Sequence, residues 1–281
     1  MTDSVLNVLL GLLTSAIGAG IGWLAQSLRR RRRLERTRAF FGMPGGTECL
    51  LVVNRHVASG HSKSVSRNDV FALMELAALV RECGAQADIV PHDQVRQGLG
   101  GKAEFCIGGP SGNERTAAHL GWRLPGVAFI TEPGGPYGGV LSVGALDYRF
   151  EFDDSGSGGR TYVLLARLDA GPHGRPTFLI AGQTATANHA AVRHLTSHHR
   201  ELARRYGSNS TFALVLRVVN PTAYGPDVVQ QVADVTREAL AAREPQAPAA
   251  ALPAGGRTAV PAPGETPGEA ASEQPAEGRA G

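Results

Sequence analysis

An uncharged apolar run near the amino terminus constrains this chain more than any other feature. The run from Val5 to Leu28 carries no charged side chain, and five arginines, Arg29 to Arg33, follow it directly. About 20 consecutive apolar residues are enough to cross a bilayer as a helix. Because basic residues stay on the cytoplasmic side, the run predicts a single-pass plasma-membrane protein. Its amino terminus would lie outside and residues 29 to 281 in the cytoplasm.

Two other interpretations of the run fit less well. A cleaved signal peptide has basic residues before its apolar core and a small-residue cleavage site after it, whereas here the charge follows the core. A buried helix of a soluble domain would bring the arginines next to an apolar core. We therefore expect residues 5 to 33 to contact membrane lipid, where each basic residue near an anionic surface contributes about 1 kcal/mol.

Small side chains recur along one face of the predicted membrane helix, at Gly11, Ser15, Gly18 and Gly22. Small residues let two membrane helices approach closely, so this face predicts a parallel homodimer. Glycine is also generally common in membrane helices, and this second explanation of the pattern stays open.

The chain is expected to have four parts. Residues 1–28 form the transmembrane anchor, 29–46 a basic juxtamembrane linker, 47–242 a cytosolic α/β domain, and 243–281 a disordered tail. The tail consists mainly of Ala, Pro, Gly and Glu and has almost no large apolar residue. Such a segment cannot bury enough apolar surface to offset the entropy cost of ordering.

The domain reads as an alternation of strands and helices. Apolar runs predict strands at residues 49–53, 87–90, 103–107, 127–131, 177–181 and 211–218, and helical patterns cover 66–83, 114–124, 188–206 and 228–242. This alternation predicts an α/β fold with a Rossmann-like, mostly parallel sheet. Residues 132 to 176 are rich in Gly and Pro and contain short alternating runs, including 162–168, that predict an antiparallel hairpin extension.

Two of the predicted strands run into Gly-rich loops that a helix follows. In an open parallel sheet, ligands bind beyond the carboxyl ends of the strands. Loop N–H groups and helix amino termini attract anions, phosphate above all. The candidate ligand-binding residues are Gly108, Gly109, Ser111, Gly112, Asn113 and Arg115 around the first loop, Gly182, Thr184, Thr186 and Asn188 around the second, and Asn54 and His56 after the first strand.

These loops predict a binding or sensor domain for a nucleotide-like or phosphorylated small ligand. Neither loop matches G-x-x-x-x-G-K-[ST] or G-x-G-x-x-G, so ATP hydrolysis of the P-loop kind is not expected. The glycines and Asn113 would also suit a tight turn and a helix cap. A hydrolase or transferase acting on a nucleotide or phosphosugar is the first alternative function, and a membrane-anchored recruitment scaffold is the second. No catalytic residue or cofactor is assigned.

Other classes of site have weaker signals. The three cysteines form no C-x-x-C pair. His194 and His198 have a metal-binding spacing but lack an H-E-x-x-H motif, so no metal site is predicted. The arginine run alone exceeds the formal net charge of +3, which leaves the domain without the broad basic surface that nucleic acid requires.

Overall fold

A computed structural model describes residues 2–56, 64–96, 98–130, 139–151 and 159–242, with the side chains of the first helix described from Leu10 onward. The predicted disordered tail, residues 243 to 281, lies outside the described residues. Within them the helices are α1 (Thr2–Phe41), α2 (Arg67–Glu82), α3 (Glu114–Arg123), α4 (Ala185–Tyr206), α5 (Pro221–Tyr224) and α6 (Thr236–Leu240). The strands are β1 (Glu48–Val53), β2 (Gln86–Pro91), β3 (Ala103–Ile107), β4 (Val127–Ile130), β5 (Val140–Val143), β6 (Leu146–Arg149), β7 (Arg160–Leu168), β8 (Thr177–Gly182), β9 (Phe212–Val219) and β10 (Val229–Asp234).

A mixed sheet forms the centre of the fold, with the strand order β10-β9-β7-β8-β3-β1-β2. Strands β2, β1, β3 and β8 are parallel. Strand β7 is antiparallel to both of its neighbours, β8 and β9, and β10 is antiparallel to β9. A second, antiparallel sheet has the order β4-β5-β6. The chain is therefore a mixed α/β protein with a largely parallel central sheet, and the coarse fold class is confirmed.

Each face of the central sheet is covered by an apolar layer. Alternate residues of a strand point to opposite faces, so Leu51 and Phe105 pack with α2 and α4, while Leu50 and Cys106 pack with α3, α6 and the second sheet. These side chains are almost fully buried. Burial of apolar surface, at roughly 25 cal/mol per Å², holds the layers together.

The predicted helix over 228–242 is wrong. The structure has the edge strand β10 there, followed by the short helix α6. Valines at 228, 229, 232 and 235 match a helical spacing, but their branched side chains also suit a strand. Antiparallel pairing with β9 decides between the two, because it supplies long-range hydrogen bonds that local spacing does not reveal.

Two other predicted strands lie in different sheets from those expected. The run at 127–131 was expected in the parallel sheet, but β4 pairs with β5 in the second sheet. The run at 162–168 was expected in the hairpin extension, but β7 lies in the central sheet between β8 and β9. Both runs are short and apolar, and their composition does not specify a partner strand.

The first helix does not support the predicted anchor. Within the described residues, no helix combines the length and apolar character needed to cross a membrane. From Leu10 onward, Gly, Ser, Thr and Gln interrupt the apolar side chains of this helix. The expected span begins earlier, at Val5, where the side chains lie outside the described part of the chain. Residues 29–41, expected to be a linker, continue α1, and Phe40 and Phe41 are fully buried in the core.

Candidate functional site

The strand order reverses at β1. The chain passes from β1 to β2 on one side and then to β3 on the other, so the carboxyl ends of β1 and β3 flank a topological switch point. Asn54 follows β1 and Gly108 follows β3. Crevices at such points are the usual ligand sites of open α/β sheets. The helix amino termini of α2 and α4 lie at the same edge, because each helix follows a parallel strand.

Close packing at this edge requires glycine after β3. Gly108 has φ +101°, and a Cβ atom there would lie 2.6 Å from the Cβ of Asn54. The positive φ and the lack of room for a Cβ atom therefore both exclude larger residues at position 108. The next glycine, Gly109, lies so close to β8 that a Cβ would be 3.2 Å from the Gly182 carbonyl oxygen. The two Gly-rich loops thus meet at one edge of the sheet.

A network of hydrogen bonds through Asp69, in the first turn of α2, connects the end of β1 with the end of β8. Asn54 Nδ2 donates to Asp69 Oδ2 at 3.0 Å, and Asn188 Nδ2 donates to Asp69 Oδ1 at 2.8 Å. Asn188 Oδ1 accepts from the backbone N–H of Gly182 at 2.8 Å. Burial raises the pKa of Asp69, while the two amide hydrogen bonds favour its charged form. The network holds β1, α2, α4 and β8 in one arrangement.

Two polar atoms beside this network have no hydrogen-bond partner in the described part of the chain. They are Asn54 Oδ1 and His56 Nδ1, and both are shielded from solvent by protein atoms. A buried polar atom without a partner costs about 1–3 kcal/mol, so native structures usually satisfy it with protein, water or ligand. A ligand N–H or O–H at this position would satisfy Asn54 Oδ1. The adjacent Arg55 is exposed.

Hydrogen bonds around the second Gly-rich loop connect the amino termini of α2 and α4. Thr184 caps α4, since its Oγ1 accepts from Ala187 N–H at 3.1 Å. Thr186 Oγ1 accepts from Asn68 Nδ2 at 2.8 Å. Thr184 and Thr186 are half-buried, and Asn188 is almost fully buried in the Asp69 network. These residues lie together at the carboxyl edge of β8.

The first Gly-rich loop is closed by its own hydrogen bonds. The N–H groups of Gly112 and Asn113 both donate to the Gly109 carbonyl at 3.1 Å. Asn113 is fully buried, donates to the Ile107 carbonyl and accepts from Thr116 N–H as the cap of α3. Asn113 therefore has the capping role that the sequence left open. These N–H groups cannot receive an anion without breaking the turn, which leaves half-buried Gly109 and exposed Ser111 as the accessible part of the loop.

Arg115 belongs to a different cluster. Its Nε and Nη2 donate to the two carboxylate oxygens of Glu104 at 2.8 and 2.9 Å. Cys106 Sγ donates to Glu104 Oε1 at 3.0 Å, and His119 Nε2 lies 3.1 Å from the same oxygen. The cluster lies in the packed layer between β3 and α3. A guanidinium that is bidentate to a buried carboxylate is not available to a phosphate in the crevice.

Among the described residues, one group has ligand atoms close enough together to hold a metal ion. It consists of the buried residues Glu104, Cys106 and His119. Their geometry favours hydrogen bonding instead. Cys106 Sγ lies 3.0 Å, Arg115 Nε 2.8 Å and His119 Nε2 3.1 Å from Glu104 Oε1, and all three are hydrogen-bond distances. Burial raises the pKa of the Cys106 thiol, which donates to Glu104 Oε1. Arg115 already supplies the positive charge.

The structure therefore brings most of the predicted site residues together and separates the others. Asn54, His56, Gly108, Gly109, Ser111, Gly182, Thr184, Thr186 and Asn188 lie at the carboxyl edge of β1, β3 and β8. Gly112 and Asn113 are buried beneath the first loop, and Arg115 points to Glu104. The sequence interpretation missed Asp69 and Asn68. Asp69 has the position of a capping-box acid, and this local role concealed its contacts with Asn54 and Asn188.

Comparisons with protein-family models, curated proteins and solved structures found no match to this chain.

Proposed function

We propose that this domain binds a small nucleotide-like or phosphorylated ligand at the crevice between β1, β3 and β8. The observation that carries the proposal is the pair of shielded, unpartnered atoms, Asn54 Oδ1 and His56 Nδ1, at the switch point. The Asp69 network fixes the Asn54 amide, so its free oxygen has a defined direction. A preorganised acceptor of this kind supports recognition of a ligand hydroxyl or amino group.

The anionic part of the ligand would lie against the amino termini of α2 and α4. Each helix is at least 16 residues long and presents a partial positive charge at this edge. Exposed Arg55 and Arg67 add two positive charges next to it. This placement differs from the sequence prediction, which assigned phosphate capture mainly to the first Gly-rich loop.

Binding is a better interpretation than catalysis. Asn54, Asp69 and Asn188 are hydrogen-bonded to one another, and the buried Cys106 thiol lies on the other face of the sheet. A sensor needs only a ligand-dependent change in stability or arrangement. The hydrolase or transferase alternative would be favoured by turnover that disappears when His56 is replaced by alanine.

We also propose that residues 5 to 28 attach the domain to the cytoplasmic side of the plasma membrane. The support is the arginine run and a series of exposed apolar side chains on α1, which include Leu12, Leu13, Ile17 and Ile21. The small residues Gly11, Gly18 and Gly22 have open space around them, which a second copy of the helix could fill. The homodimer thus remains a proposal.

A thermal-shift screen of the full chain tests ligand binding. The compounds are nucleotides, cyclic nucleotides, dinucleotides and sugar phosphates. A ligand at 100 times its dissociation constant should raise the free energy of unfolding by about 2.7 kcal/mol. We expect a stabilising compound whose effect is lost in His56→Ala, because this variant removes a ligand contact and no packed core residue.

The matched control is His173→Ala, which changes an exposed histidine near the opposite edge of the sheet. This variant should keep the whole ligand-induced shift, and both variants should melt at the wild-type temperature without ligand. The proposal fails if no compound stabilises the protein, or if His56→Ala and His173→Ala respond equally.

A further inference from the structure

The end of α1 is built into the core of the domain. Phe40, Phe41 and Met43 have no exposed surface, and Arg167 Nε donates to the Phe40 carbonyl at 3.2 Å. Arg38 Nε donates to the carbonyl of Cys83 at 2.7 Å. These contacts fix the last turn of α1 to the strands and to the end of α2. A rigid join of this kind transmits the direction of α1 to the whole domain.

This join lies at the amino edge of the parallel strands. The Gly42 carbonyl accepts a hydrogen bond from Arg175 Nη1 at 2.8 Å, just before β8 begins. The Gly46 N–H donates to the Gly84 carbonyl just before β2 begins. The candidate ligand crevice lies at the carboxyl edge. A six-residue strand spans about 20 Å, so the length of the sheet separates α1 from the crevice.

A basic cleft opens beside α1 at the amino edge, with a volume of about 920 Å³. Arg29, Arg30 and Arg33 line it from α1, and Arg200 lines it from the last turns of α4. Glu82 is its single acidic lining residue. Arg200 is 170 residues away from Arg30 in the chain, so the fold extends the positive charge of the arginine run onto the domain surface.

The cleft is continuous with the exposed apolar part of α1. Gly22, Ala25 and Gln26 line its outer end, and Ile21, Trp23 and Leu24 beside them are all more than half exposed. A surface that changes from apolar to basic along one helix matches the change from acyl chains to headgroups at a bilayer. Nucleic acid would neutralise the arginines but would leave the apolar side chains in water.

We propose that the basic cleft docks on anionic phospholipid headgroups. The amino edge of the sheet then faces the bilayer and the ligand crevice faces away from it, open to cytoplasmic ligands. This inference rests on the proposed membrane attachment and is independent of the proposed ligand. Arg200 is the residue that distinguishes a docked domain from a helix that binds lipid through its own arginines.

Vesicle binding by the full chain tests the docking. Its affinity is measured for vesicles of phosphatidylcholine alone and of phosphatidylcholine mixed with phosphatidylglycerol. We expect Arg200→Ala to weaken binding to the mixed vesicles about fivefold, the equivalent of about 1 kcal/mol per basic residue at an anionic surface. Binding to the neutral vesicles should not change, since the apolar contacts remain.

Arg237→Ala is the matched control, because Arg237 is an exposed arginine on α6, at the other face of the sheet. It should bind both kinds of vesicle as the wild type does. Equal binding of Arg200→Ala and wild type to the mixed vesicles would overturn the docking. So would loss of affinity for a short nucleic-acid duplex with no effect on vesicles. A wild-type chain that binds neither kind of vesicle would instead disprove the membrane attachment itself.

Discussion

Replacing Glu104 with glutamine is expected to lower the free energy of unfolding by about 3–5 kcal/mol. The glutamine keeps the volume of the side chain but removes the charge that Arg115 neutralises. It also presents an NH₂ group to a site whose other members, Arg115, His119 and Cys106, all donate hydrogen bonds. Urea denaturation near neutral pH measures the loss.

The same substitution should change the response of the protein to acid. Burial raises the pKa of Glu104, but bonds from Arg115, His119 and Cys106 outweigh it and lower the pKa from 4.5 to about 2. A lowered carboxyl pKa stabilises the fold above pH 4.5, and this contribution of about 3 kcal/mol disappears as the pH falls towards 2. The wild type should therefore lose more stability than Glu104→Gln over this range.

Glu48→Gln is the matched control, because Glu48 is exposed and forms a surface ion pair with Lys102 at 2.5 Å. Exposed pairs contribute about 0–1 kcal/mol, so its stability should remain close to that of the wild type. If Glu104→Gln were as stable as Glu48→Gln, the cluster would not be the structural connection between β3 and α3 that its geometry indicates.

Replacing Arg167 with alanine is the second change with a large expected effect, a loss of about 3 kcal/mol or more. The buried guanidinium donates to the carbonyls of Phe40, Ser208 and Ser210 and lies over the ring of Phe40 at 5.7 Å. Burial lowers the pKa of Arg167. Alanine would leave a cavity and three carbonyls without their donor.

The loss should be accompanied by release of α1, which limited proteolysis of residues 42–46 would detect. Arg160→Ala is the control on the same strand, since Arg160 is exposed and lies 3.5 Å from exposed Glu151. It should change stability by less than about 1 kcal/mol. Wild-type stability and protease resistance in Arg167→Ala would contradict the rigid join of α1 to the sheet.

Local patterns were enough to predict the part of the fold that carries the candidate site. Strands β1, β3 and β8 and helices α2 and α4 follow from apolar runs, from helical spacing and from the glycines at the ends of β3 and β8. The carboxyl-edge position of Asn54 and Gly108 follows from the same strand-to-helix order. These features depend on neighbours within about ten residues, and the sequence displays such neighbours directly.

The features that the sequence did not predict depend on distant partners. Asp69 contacts Asn188 across 119 residues, and Arg167 contacts Phe40 across 127. Arg115 was assigned to phosphate because it follows a Gly-rich loop, but a helical residue can point to either side of its loop. Glu104 attracts it into the core. In each case the long-range partner, and not the local motif, determines the role of the side chain.

Hydrogen–deuterium exchange of the full chain, with and without a pool of nucleotides and sugar phosphates, tests the central claim most directly. The crevice predicts slower exchange in the amides of residues 54–56, 67–69 and 182–188 when the pool is present. Exchange at the amino edge, in residues 42–47 and 172–176, should be unchanged. No protection at the carboxyl edge, or protection confined to the amino edge, would contradict a ligand site between β1, β3 and β8.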